Sequence, residues 1–206
     1  YKVEQSQVVR DILHVVLHCV FRHSFVNIYV EIPIWDLASD IAVENIVNSL
    51  GIHNVDTKNT LNQKKILDDL QSSIKILSAE HIYQHYKDMS ITHEEANRIR
   101  ELFLSDDHSI WYNTQERKRL NKMLQESSDK GEQEKPSVSY EESQKFNTVF
   151  KKQSSTEHQA DSERFALEKE WETVSRQVQM DMETFSKQRG NLPGNLVQQL
   201  RELNKE

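Results

Sequence analysis

Glycine, proline and cysteine are scarce in this chain, at 4, 3 and 1 among 206 residues. Four scattered glycines leave no glycine-rich loop to cradle a phosphate, which removes nucleotide binding of that kind. The single cysteine, Cys19, excludes an internal disulfide and fits a reducing compartment, so a cytoplasmic setting is expected. Long apolar runs are missing too. Ile12 to Phe21 falls short of the ~20 residues of a membrane span and is broken by histidines, so no membrane partner is expected. Positive charge is in deficit: 26 Lys and Arg against 33 Asp and Glu give a net charge of −7. A nucleic-acid partner, which wants a basic surface, is therefore not expected. No basic-then-apolar leader follows Tyr1, and we expect the chain to be a piece of a longer polypeptide.

What is present is concentrated in the first half. Only 36% of the residues are hydrophobic while 29% are charged, enough for one sizeable core drawn mainly from the N-terminal side. Val8 to Phe21 is filled almost entirely by Val, Ile, Leu, Phe and Cys, so its helix has apolar residues on all sides and is expected to be buried. His14 and His18 lie four apart in it, on one face. A buried imidazole needs a partner for each ring nitrogen, and a metal ion satisfies two histidines at once. His23, five residues beyond His18, falls about 140° round a continuing helix and is left out of the site.

In chain order, Ser6 is the expected N-cap of that first helix, which should run to about His23. Val26, Ile28, Val30 and Ile32 alternate with polar residues in a strand pattern. Pro33 then opens and Gly51 stops a second helix with Asp36, Asp40 and Glu44 in one acidic line at spacing four. Thr60 is the expected cap of a third helix to about Ile76, and Ser78 of a fourth. Thr92-His-Glu-Glu95 has capping-box spacing and opens a fifth through Phe103. Asp106-Asp107-His108 follows as a polar turn running to Trp111. Trp35, Trp111 and Trp171 read as core packing. From Glu126 to Lys145 only Val138 and Tyr140 are apolar. The expected division is a core over 1–125, a disordered polar linker over 126–160 and a C-terminal helical segment over 161–206. The last part holds an amphipathic helix from about Phe165, a turn at Gly190 to Gly194, and a helix still running at Glu206. The fold class is mainly α (α+β), with one to three strands and a C-terminal helical hairpin.

Two histidines and a carboxylate from the acidic helix leave the fourth position of a tetrahedral zinc open, which is how catalytic zinc sites are built. Asp36 and Asp40 are both within reach of this role by spacing. Against it stands the reading of two core histidines bonded to backbone or carboxylates, with the acidic line as a solvated face.

The run Arg10-Asp-Ile-Leu-His14-Val-Val-Leu-His18-Cys-Val-Phe-Arg-His23, followed by Trp35-Asp-Leu-Ala-Ser-Asp40, resembles the zincin-like metallopeptidase domain of bacterial proteins that carry a VWA-like domain. Asp106-Asp107-His108-x-x-Trp111 and the stretch from Trp171 to Gly194 are similar to that family as well. The resemblance implies a zinc ion on His14, His18 and Asp40. It also implies a VWA-like domain in the same polypeptide and a MoxR-type AAA+ ATPase as partner. One departure bears on activity. In H-E-x-x-H the glutamate is the general base, and here its position is Val15, which neither accepts nor donates a proton. General-base help is worth roughly 10²–10⁴ in rate, so peptidase turnover is expected to be weak or absent unless Glu44 or the cluster of Asp106, Asp107 and His108 substitutes. The other reading is a metal-free interaction module rather than an enzyme. Cys19, in an apolar helix, is expected to be a poor nucleophile.

Overall fold

The computed structural model describes residues 5–26, 30–51, 59–103, 106–112, 140–189 and 194–205. They form helices α1 (Gln5–Val20), α2 (Ile32–Ser49), α3 (Thr60–Ser73), α4 (Ala79–Asp88), α5 (His93–Phe103), α6 (Tyr140–Arg189) and α7 (Gly194–Leu203). The fold is mainly α, and no strand occurs among the described residues. Of the expected strand, Ile32 is the first residue of α2, and positions 27–29 lie outside the described residues. Two compact units are present. One comprises Tyr1–His108 with Trp171–Glu206, and the other Ser109–Glu170. Part of the expected linker, 126–139, lies outside the described residues; from Tyr140 onward the chain is α6. The last helix ends at Leu203 rather than running to Glu206.

Within the first unit α2 is the central element. Its local start and stop are written in sequence: Pro33 sits in the first turn, where its missing N–H costs nothing, and the Glu31 carbonyl accepts from the Ile34 and Trp35 amides. Gly51 ends it at φ +61°, a left-handed backbone that a β-carbon would strain. Trp35 through Glu44, Ile46 and Val47 are all buried. Burying its aliphatic side chains is worth roughly 1.5–3 kcal/mol each, which anchors the unit on this helix.

One apolar cluster joins Leu17, Val20 and Phe21 from the α1 end, Val43, Ile46 and Val47 from α2, and Leu196 and Leu200 from α7. Trp171, Val178 and Met182 of α6 pack on its edge. Polar contacts tie the hairpin in: Gln199 donates to the Leu77 carbonyl at 2.8 Å. Ser78 caps α4 by accepting from the His81 amide, and Thr92 accepts from the Glu95 amide, both as the sequence indicates. Ser6 and Thr60 fall inside their helices instead of capping them.

Helix α1 departs from its expected all-round burial. Arg10, His14, Leu17, His18 and Val20 face the core, but Val8, Val9, Ile12, Val15 and Val16 stand in solvent, Ile12 at 59% exposure. No helix among the described residues is long and apolar enough to cross a membrane.

Candidate metal centre

Five side chains from three stretches of the first unit converge: His14 and His18 of α1, Asp40 of α2, and Asp106 and His108 beyond α5. Their donor atoms all lie within 4.8 Å of one another. Asp40 Oδ1 is 3.3 Å from each of the Nε2 atoms of His14, His18 and His108. The His14 and His18 Nε2 atoms are 2.9 Å apart, and Asp106 Oδ1 lies 3.3 Å from His14 Nε2 and 2.9 Å from His108 Nε2. Two ligands each about 2.0–2.1 Å from one ion, at angles between square and tetrahedral, are roughly 2.9–3.4 Å apart. Those six separations therefore match the spacing of donors around a single ion. Asp40 Oδ2 is buried with no hydrogen-bond partner, a cost the protein sustains without any gain visible in the fold. Three imidazoles and two carboxylates suit a divalent transition metal.

Each imidazole is gripped from behind through Nδ1. Glu44 Oε1 lies 2.8 Å from His14 Nδ1, and Asp36 Oδ1 lies 3.3 Å from His108 Nδ1. His23 Nδ1 lies 3.0 Å from His18 Nδ1. Such outer partners fix the ring and turn Nε2 toward a metal. The acidic line of α2 is thus buried along its whole length, and each acid meets a different part of the cluster.

His23 reaches His18 because the helix does not continue to it. Helix α1 stops at Val20, and Arg22 takes a left-handed backbone, φ 58°, costing roughly 1–2 kcal/mol. This reverses the chain into a 3₁₀ turn, His23–Phe25. Trp35 Nε1 donates to the His23 carbonyl at 3.2 Å and holds the turn, while the Phe21 ring stacks on the imidazole. An angular count along an unbroken helix could not have placed His23 there.

The charges follow from these contacts. Burial works against a charge on His14, but Asp106, Asp40 and Glu44 override it and raise its pKa to about 11. His108 is likewise raised, to about 9, by Asp106 and Asp36 against the cost of burial. Burial and the neighbouring imidazoles push His18 well down and His23 to about 3. Burial raises Asp40, although His14 and His108 oppose the shift. Burial also disfavours charge on Asp106 and Glu44, yet His108 and His14 hold the first well below the usual range and His14 and Arg10 lower the second. Burial raises the Cys19 thiol, as its helix suggests, and the Asp106 charge adds to this.

Of the sequence candidates, His14, His18, Asp40 and His108 meet at the cluster. Asp107 is exposed and not among the donors, and Glu44 sits behind His14 rather than among them. Asp106, which sequence offers only as part of the Asp106-Asp107-His108 turn, joins the cluster as a donor, and its spacing of two from His108 is the signal for it. Trp35 is buried as expected, whereas Trp111 is only half-buried.

Comparison with curated proteins finds no match, and neither does comparison with solved structures. A family model described as "Putative metallopeptidase domain" matches residues 2–205. The metal-spaced donor cluster accords with that description, and with nearly its whole length matched this chain belongs to the putative metallopeptidase domain family.

Proposed function

We propose that the first unit holds one zinc ion through His14, His18 and Asp40, with His108 as a further donor, in a zincin-like domain whose peptidase turnover is weak or absent. The observation that carries this is the meeting of three Nε2 atoms on Asp40 Oδ1, each at 3.3 Å. With four protein donors, a zinc ion there would supply Lewis-acid polarisation of a carbonyl only by taking it as a fifth ligand or in place of His108. The rest falls to the chain. Asp106, with 23% of its side chain exposed, is the one member of the cluster that solvent reaches appreciably, so substrate approaches on its side. Val15 cannot take a proton. Glu44, the nearest alternative, has both oxygens committed to His14, Arg10 and Gln63. The lone Cys19 supports a cytoplasmic setting.

One observation favours a second reading. Val8, Val9, Ile12, Val15 and Val16 form an exposed aliphatic stripe along α1 that runs through the very position where the motif places its base. It suits an interaction module acting with a VWA-like domain and a MoxR-type AAA+ ATPase.

The test compares wild type with Val15→Glu on a casein-like unfolded substrate, with and without chelator. We expect negligible cleavage by wild type and chelator-sensitive cleavage by the variant, which regains a carboxylate at a half-exposed position. Strong chelator-sensitive cleavage by wild type contradicts the degenerate-site reading.

A further inference from the structure

Behind the histidine pair lies a polar network that the metal cluster does not explain. Arg10 is buried and donates through Nε to Glu44 Oε2 at 3.0 Å, and through Nη2 to Glu44 Oε2, to Asn48 Oδ1 at 2.7 Å and to Gln63 Oε1 at 3.0 Å. Gln63, the buried amide of α3, donates through Nε2 to Glu44 Oε2 at 3.0 Å and to the Leu102 carbonyl at 2.8 Å. Its Oε1 also accepts from Asn48 at 3.3 Å.

The chemistry permits one arrangement. Arginine only donates, so the Gln63 oxygen must face Arg10 and its NH₂ must face the two acceptors, Glu44 and the Leu102 carbonyl. Glu44 Oε2 is then filled by Arg10 and Gln63, which leaves Oε1 to accept from His14 Nδ1–H. In the neutral ring that a metal requires, this fixes the His14 tautomer with Nε2 bare toward the cluster. At its far end the network grips Leu102, in the last turn of α5, four residues before Asp106 and six before His108. One connected set of side chains therefore touches a donor ring on α1 and the helix end that precedes the other two donors.

We propose that Arg10, Glu44 and Gln63 are positioning residues for the metal. They form a buried clamp that orients the His14 ring and holds the segment bearing Asp106 and His108 in register with it. The inference rests on the metal reading above and assigns Glu44 the role of orienting His14, not of accepting a proton from substrate.

Gln63→Leu deletes the link to Leu102 and Glu44 at nearly constant volume. Glu44→Gln keeps the shape but turns an NH₂ toward the donors of Arg10 and Gln63, or toward His14. Zinc affinity of the whole chain is measured against a chelating competitor, and cobalt(II) is substituted to record its absorption bands, alongside the melting temperature of the metal-free protein. We expect zinc affinity to fall 10–100-fold in both variants, with altered cobalt bands. If Glu44→Gln does not fold, Gln63→Leu carries the test. A folded Gln63→Leu that binds zinc within twofold of wild type and keeps the cobalt bands, whatever its melting temperature, overturns the clamp and leaves the metal reading standing. A wild type that takes up no zinc overturns the metal reading, and the clamp with it.

Discussion

Helices α1 and α2 exchange the places their compositions suggest. The first is nearly continuous Val, Ile and Leu, yet a full stripe of it faces solvent; the second carries three acids and is buried on almost every side. The difference lies in partners. A carboxylate tolerates burial when it is paired, and Asp36, Asp40 and Glu44 meet His108, three Nε2 atoms, and Arg10 with His14 respectively. Aliphatic residues gain only from what covers them, and α2 offers α1 a single face.

The sharpest way to break this contrast is to unpair a buried charge. Glu44→Ala strands Arg10 in the core, and we expect a loss of about 3–5 kcal/mol in urea unfolding of the metal-free protein. Ile41→Ala, in the fully buried part of α2, should cost about 2–5 kcal/mol. A loss below ~1 kcal/mol in either would mean that α2 is not the helix on which the unit rests.

A pH series sharpens the same contrast. His14 and His108 are raised to about 11 and about 9, so their stabilisation is complete below 6.5 and is lost as pH climbs through those values. His18 and His23 are lowered, the second to about 3, so theirs is complete above 6.5 and is lost as pH falls. From these four groups the metal-free protein should melt highest near pH 6.5. Zinc should flatten the alkaline limb, since the imidazoles then hold metal in place of protons. Melting curves across pH 5–9, with and without chelator, check this; identical alkaline limbs would contradict it.

The smallest effect belongs to the exposed face. Ile12→Ser on α1 should change stability by no more than about 0.5 kcal/mol, although the residue is as apolar as Ile41. A loss of several kcal/mol would show that the stripe is covered in solution.

Much of this was legible in sequence, and the reasons differ by residue. Spacing four placed His14 and His18 on one face, and Pro33 and Gly51 bounded the helix that presents Asp40. Short-range chemistry of that kind survives folding. The left-handed turn at Arg22 was not legible, because a non-glycine residue takes that backbone only where tertiary contacts hold it, here through Trp35 and Phe21. Nor was the pairing of Arg10 with Glu44 and Gln63, which joins residues 34 and 53 positions apart. Which side of α1 faces solvent depended likewise on α2, not on α1 itself.

The central claim is that the donors gathered from α1, α2 and the stretch beyond α5 hold one metal ion. Elemental analysis of the chain purified gently from zinc-replete medium tests it most directly. We predict close to one zinc per chain in wild type and none in the His14→Ala, His18→Ala double variant. A folded wild type without metal would contradict it.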